Sequence, residues 1–179
     1  MISNNPYQYC SRCGSDALTG ASEREFICGA CGYRHFITSI PAACALIVDS
    51  QKRLLMMRRA HEPGSGKLGL PGGVIEPGET GEEAAARETF EEMGLKLPVS
   101  TFKYFLSLPN LYLFQDFLWP TIDLFYLVEV EEFPPLMACP HEVSEILTPL
   151  LQDVSLLDFA FDSNAEAVRR LQEIHNQLG

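Results

Sequence analysis

Hydrophobic and polar positions divide the chain into two unequal parts. From about residue 39 onward, apolar positions recur with the periods of strands and helices, whereas residues 1–38 are polar and turn-rich. Ala42 to Val48 and Leu54 to Met57 are apolar runs flanking Asp49-Ser50-Gln51-Lys52, which predicts two strands around a turn. Thr101 to Leu108 and Ile122 to Val130, rich in β-branched and aromatic residues, predict two later strands. A helix is predicted from Thr80, because Thr80-Gly81-Glu82-Glu83 fits a capping box, and Gly94 suits a left-handed terminator. Ala86, Phe90 and Met93 share one face of that helix and are expected to enter the core. Ser163-Asn164-Ala165-Glu166 is a second capping-box pattern, predicted to open a C-terminal helix with Val168, Leu171, Ile174 or His175, and Leu178 inward. No repeat or low-complexity segment interrupts this α/β pattern.

Composition narrows the class. A hydrophobic fraction of 46% and a charged fraction of 21% over 179 residues describe a globular chain of one ordinary domain with a small appendage. No apolar run approaches the roughly 20 residues that span a bilayer, so no membrane is expected. MISNNPYQYC has neither a basic flank nor an apolar centre, so no signal peptide is expected and the setting is read as cytoplasmic. Net charge is −11, which disfavours binding along a nucleic-acid backbone and suits a protein that offers acids to divalent cations.

Two residue clusters carry candidate chemistry. Glu88, Glu91 and Glu92 are related by steps of three and four, so their carboxylates crowd one helix face, opposite Ala86, Phe90 and Met93. A solvated acidic face is the ordinary reading of such a run. The preceding Leu70-Pro71-Gly72-Gly73 turn and the spaced Glu79 and Arg87 favour a site for Mg2+ or Mn2+, hard cations that take oxygen ligands. The other cluster is Cys10-Ser-Arg-Cys13 with Cys28-Gly-Ala-Cys31, two C-x2-C pairs separated by 14 residues. Each spacer lets a tight turn aim two thiolates at one ion, with Gly14 and Gly32 following, and two such turns complete a closed, structural S4 shell for Zn2+. A disulfide framework is the alternative, disfavoured without a secretory signal. Cys44 and Cys139 are isolated and read as small hydrophobes. Gly64-Ser-Gly66-Lys67 fails as a phosphate loop, because His61 stands where glycine is needed and Leu68 follows the lysine.

Residues 73–95 place Gly73, Glu79, Arg87, Glu88, Glu91, Glu92 and Gly94 at the spacing G-x5-E-x7-R-E-U-x-E-E-x-G-U, with U aliphatic. This is the Nudix box, and the chain from about 39 to 179 resembles a Nudix hydrolase. Thr89 departs from the pattern at an aliphatic position. The resemblance implies an α/β/α sandwich with a mixed sheet, here preceded by a module over residues 1–38 that resembles a zinc ribbon. It implies hydrolysis of a nucleoside diphosphate linked to another moiety. It assigns Glu88, Glu91 and Glu92, with the Gly73 carbonyl, to the metal, and Arg87 and Glu79 to bracing the loop against the helix. The general base varies within the family; Glu142, in His141-Glu142-Val143, is the preferred candidate beside Glu145 and the box glutamates.

Ribbon followed by Nudix domain is the arrangement of NADH pyrophosphatases, whose signature S-Q-P-W-P-x-P-x-S is met here only by Ser107 and Pro109, then Trp119 and Pro120. ADP-ribose, NAD(H) or a related nucleotide therefore all remain as substrates. The aromatic run Tyr112, Phe114, Phe117 and Trp119 is read either as a stacking surface for a base or as packing. Residues 1–38 hold three Arg, no Lys and three acids, a neutral ribbon better suited to scaffold or dimer contact than to nucleic acid. A homodimer is expected from the resemblance. The reading from another class is a nucleotide-sensing regulatory protein using the same fold for ligand and the ribbon for a partner.

Overall fold

The computed structural model describes residues 7–20, 22 and 24–178, the last by its backbone alone. They form two compact units, Met1–Ile40 with Leu111–Pro120, and Pro41–Asn110 with Thr121–Gly179. The first contains an antiparallel sheet of β1 (Leu18–Gly20), β2 (Glu25–Cys28) and β3 (Arg34–Phe36).

The second is built on β4 (Ile40–Asp49), β5 (Met56–Arg59), β6 (Leu68–Gly69), β7 (Gly72–Val74), α1 (Gly81–Met93), β8 (Lys103–Phe114), β9 (Phe117–Val130), β10 (Val143–Leu147) and α2 (Asp162–Leu178), save that Ile40 and the joined ends of β8 and β9 at Leu111–Pro120 fall in the first. The strands run in the orders β7-β4-β9-β8 and β10-β5-β6. Successive side chains of a strand point to opposite faces, so a strand covered on both sides must be apolar at every position. On β4, Cys44, Leu46 and Val48 join Ala167, Val168 and Leu171 of α2, while Ala43, Ala45 and Ile47 join Ala84, Ala85 and Met93 of α1. The unbroken run in the sequence is the signature of this middle layer, and the result is the α/β/α sandwich.

The turn at 49–52 forms as expected, with the Asp49 carboxylate accepting from the N–H groups of Gln51 and Arg53. Strand β5 begins at Met56, so Leu54 takes part only as an isolated bridge to Val48. The later strands are longer than the pattern predicts. Both continue to a hairpin closed by Gln115 and Asp116, at φ 49° and 63°. No Gly or Asn marks that turn, and Asp116 alone is a weak signal for it. The aromatic run is this hairpin's end, where Phe117 and Trp119 rings meet at 4.8 Å.

The first helix has the expected caps. Thr80 and Glu83 complete the capping box, and Gly94 is left-handed at φ 67°. Its inward face differs from the prediction. Phe90 is 53% exposed, Ala86 is half-buried, and the buried positions are Ala84, Ala85, Thr89, Glu92 and Met93. The helix turns toward β7 with a face that includes Glu92, and the buried Thr89 hydroxyl is satisfied by the Ala85 carbonyl at 2.7 Å. The second helix also departs from its signal. It begins at Asp162, and Ser163 lies within its first turn, donating to Asp123 instead of capping. Glu166 pairs with Arg169 and Arg170. Val168 and Leu171 are buried, Ile174 is exposed, and His175 is the half-buried member of that pair; the Leu178 side chain lies outside the described residues.

Asp123 is the polar tie of this layer. Buried on β9, it accepts from Asn110 (3.0 Å), Thr121 (2.8 Å) and Ser163 (2.6 Å), joining β8, β9 and α2. Asp123→Ala would strand three donors, and hydrogen bonds to a charged group contribute about 1.5–3 kcal/mol each at most. The variant should lose about 2–4 kcal/mol of stability, an effect typical of a broken buried network, and unfold at a lower denaturant midpoint. An unchanged midpoint would refute that role.

Candidate metal centres

Two consecutive glycines bring β7 against α1. Gly72 pairs with Cys44 and Gly73 with Ala43 on β4. A Cβ on Gly72 would fall 2.3 Å from the Ala43 carbonyl oxygen, and one on Gly73 would fall 2.3 Å from Glu88 Oε1. Only bare backbone fits at 72 against β4 and at 73 against the helix. This closeness lets the Gly72 N–H donate to Glu92 Oε2 at 2.9 Å and sets Gly73 beside Glu88. Arg87 braces the same junction from outside. Its guanidinium takes both oxygens of Glu79 (2.7 and 3.0 Å), Glu88 Oε1 (2.7 Å), Glu91 Oε2 (3.1 Å) and the Val74 carbonyl (3.2 Å).

Glu142 arrives from a distant part of the chain. The loop before β10 hangs on the C-terminal end of α1, where helix carbonyls lack intrahelical partners. Met137 N–H donates to the Met93 carbonyl and Cys139 N–H to that of Glu92, each at 2.9 Å. The N–H groups of Glu142 and Val143 then turn back onto the Cys139 carbonyl. One carboxylate oxygen from each of Glu88, Glu92 and Glu142 lies within 4.8 Å of the others. Glu91 is not among them; it is bonded to Arg87, with its side chain 54% exposed. Glu145 is paired instead with Arg58 at 3.0 Å. His61 and His141 are exposed, and the His61 ring is bonded to the Glu62 carbonyl.

The cluster carries more acid than its surroundings neutralise. Burial pushes the Glu92 carboxyl up to about 8; the Gly72 N–H opposes this, and Glu88 and Glu142 reinforce it. Burial also raises Glu88, with Arg87 pulling the other way. Arg87 holds the Glu79 carboxyl low and is itself held firmly protonated, chiefly by Glu79. Three convergent carboxylates, two of them costly to ionise alone, form a donor set that fits a hard divalent cation.

The four cysteines of the first unit also converge. Cys10 and Cys31 sulfurs are 3.8 Å apart and those of Cys13 and Cys28 3.6 Å, far longer than a disulfide at about 2.05 Å. Both turns have the same build: Gly14 N–H donates to the Cys10 carbonyl and Gly32 N–H to that of Cys28, each at 2.8 Å, with φ of 74° and 70° at the glycines. Four thiols so placed suit a soft ion such as Zn2+. The sequence reading overlooked His35, which lies buried between the rings of Tyr7 and Tyr33. Its Nε2 is buried without a hydrogen-bond partner among the described residues, and the nearness of its ring is the largest influence lowering the Cys10 thiol to about 6. Cys44 is fully buried, which raises its thiol, and Cys139 is half-buried.

A family model described as NUDIX domain matches residues 38–171. The chain is similar to the NAD-capped RNA hydrolase NudC of Stutzerimonas stutzeri, 33% identical over 91 residues, which are 51% of this chain and 32% of that protein. It is 33% identical over 108 residues to the NudC of Mannheimia succiniciproducens, covering 58% of this chain and 40% of that protein. The chain thus spans well under half the length of these relatives. Among solved structures, a NUDIX hydrolase from Nitrosomonas europaea superposes with a TM-score of 0.72 at 22% identity, over 94% of this chain and 92% of that one. The NUDIX domain of Shewanella oneidensis NrtR, complexed with ADP ribose, superposes with a TM-score of 0.61 at 21% identity, over 80% and 91%. At these identities the structural likeness concerns the fold.

The raised Glu92 carboxyl has a consequence for stability. Between its ordinary 4.5 and about 8, the folded metal-free protein retains a proton that the unfolded chain releases. Its contribution to stability is therefore full below the lower value and is lost as pH rises through the upper one. Melting metal-free wild type and Glu92→Gln across this window should show the variant gaining on wild type as pH rises. A constant gap would contradict the burial argument.

Proposed function

The chain belongs to the Nudix family, and on that premise we propose that it is a metal-dependent pyrophosphohydrolase cleaving nucleoside diphosphates linked to another moiety. The substrates envisaged are ADP-ribose, NAD(H) or a related nucleotide. The observation that carries this reading is the convergence of Glu88, Glu92 and Glu142 beside the Gly73 backbone. Relatives named as hydrolases of NAD-capped RNA, and a fold neighbour holding ADP ribose, support a nucleotide ligand.

A diphosphate is shielded from nucleophiles by its own charge. Mg2+ or Mn2+ held by Glu88, Glu92 and the Gly73 carbonyl would supply charge neutralisation and a more acidic water. The chain's own residues prepare that site. Gly72 N–H fixes one Glu92 oxygen and leaves the other for a ligand. Arg87, clamped by Glu79, orients Glu88. Glu142, the exposed member of the three, is assigned the proton of the attacking water, since it reaches solvent while touching the cluster. Glu91 would join as a ligand on exchanging Arg87.

Cys10, Cys13, Cys28 and Cys31 are assigned a structural Zn2+. All six cysteines are free thiols, which suits a reducing, cytoplasmic setting. Among the described residues no helix is long and apolar enough to cross a membrane. With a net charge of −11, a small nucleotide is preferred to a nucleic-acid backbone as partner, and a homodimer is the assembly envisaged.

Incubation with a panel of nucleoside diphosphate derivatives and Mg2+, with products identified by mass spectrometry, should release a mononucleotide or phosphorylated fragment. Glu92→Gln should lower that turnover roughly a hundredfold or more while the protein stays folded. A folded, metal-loaded wild type that cleaves nothing in the panel would sink the proposal. Metal analysis should find about one zinc per chain, with the four thiols shielded from alkylation; rapid alkylation of all four in the native protein would rule zinc out.

A further inference from the structure

Most arginines of the second unit are matched to acids. Arg53, Arg58, Arg87, Arg169 and Arg170 each bond a carboxylate. Arg59 does not. Half-buried at the end of β5, it donates from Nε to the Pro63 carbonyl at 2.8 Å and lies over the Phe161 ring at 5.1 Å. Neither contact neutralises its charge, and among the described residues it has no ion pair, in a chain with 24 acidic residues.

Its place beside the carboxylate cluster is set by strand register. Arg59 stands opposite Val143, and the next residue, Ala60, donates its N–H to the Glu142 carbonyl at 2.9 Å. The positive charge is felt by Glu92 and by Cys44, the residue paired with Gly72 on β4. The guanidinium therefore borders the cluster without bonding its oxygens. Two tethers keep it off them. Pro63 belongs to a loop closed by Arg59 N–H on the Lys67 carbonyl, by Gly66 N–H on the Arg59 carbonyl, and by Gly64 N–H on the Glu62 carboxylate. Phe161 supports the other side at the start of α2. A direct pair with Glu92 or Glu142 would cancel acid that a cation needs; held off, the guanidinium keeps its outer nitrogens free. Those nitrogens form a planar fork that fits two oxygens of a phosphate.

We propose that Arg59 is a substrate-binding residue of this site, its Nη1 and Nη2 donating to non-bridging oxygens of the diphosphate. The proposal rests on the reading of the site as a diphosphate hydrolase. It divides the recognition of one anion between cations held by carboxylates and a guanidinium held by a carbonyl and a ring. The competing role is a purely structural one, in which Arg59 only clamps the 60–67 loop.

Full-length wild type, Arg59→Met and Arg59→Lys would be titrated calorimetrically with inorganic pyrophosphate at saturating Mg2+, and each would be melted in parallel. Arg59→Met should bind pyrophosphate about 10–100-fold more weakly, as for loss of a charge-assisted pair of bonds, with Mg2+ binding retained. Arg59→Lys should recover part of that loss, since it keeps the charge without the fork. For any substrate found, the change should appear mainly in KM. If Arg59→Met melts earlier but binds pyrophosphate within twofold of wild type, the clamp is its only role and the proposal fails. If Arg59→Met does not fold, Arg59→Lys carries the test, and wild-type affinity in it would count against the fork. If wild type itself binds Mg2+ but neither binds pyrophosphate nor cleaves any diphosphate, the reading of the site falls as well.

Discussion

Glu92 is a carboxyl only 4% exposed, placed where a helix meets a strand and bonded there to a single backbone N–H. Burying such a group is costly unless its charge is compensated, and little in its surroundings compensates it. Much of the site follows from this one constraint. Strand and helix must approach closely enough for the Gly72 N–H to reach the carboxyl, so position 73 has no room for a side chain against Glu88, while position 72 is closed by the Ala43 carbonyl of β4. The same approach turns α1 inward about Ala85, Thr89 and Glu92 and leaves Phe90 in solvent.

Charge is distributed so that the cluster stays acidic. Arg87 is the nearest strong cation, yet Glu79 occupies it with two hydrogen bonds, so it orients Glu88 without neutralising the group. Arg59 is a second cation, restrained by the Pro63 carbonyl and the Phe161 ring. The thiol cluster follows the same logic with softer ligands. Four sulfurs are gathered by two matching turns, and His35 beside them lowers the Cys10 thiol. In both places the fold brings together groups that metal ions favour as donors, three carboxylates in one and four sulfurs in the other.

How much of this could be read in advance depended on how far apart the cooperating residues lie in the chain. The Thr80 capping box, the Gly94 terminator, the Asp49 turn and the two C-x2-C turns are complete within a few residues, and all formed as read. The Ser163 capping box is equally local but lost its hydroxyl to Asp123, forty residues away, because a buried carboxylate is the stronger acceptor. The Gln115-Asp116 turn was hard to read because Gln rarely adopts the left-handed backbone and Asp116, which tolerates it, stands without the Gly that usually accompanies it. Helical periodicity showed that Glu88, Glu91 and Glu92 share a side of α1, but it could not say that Arg87 would take Glu91 away from the other two.

The sequence by itself determined the middle strand's unbroken apolar run, the caps of the first helix, the chemistry of both ligand sets and the family spacing that links them. Each depends on residue type and short-range geometry, which the chain carries locally. Tertiary structure alone decided that Glu142 joins Glu88 and Glu92 while Glu145 turns to Arg58. It also decided that α1 buries a glutamate and that Arg59, among the described residues, stays without an ion pair near the cluster. These outcomes depend on the loop at 137–142 completing the open end of α1, and on β10 setting its register against β5. Such choices are made between segments twenty or more residues apart, where packing and unsatisfied backbone groups, not local preference, select the partner.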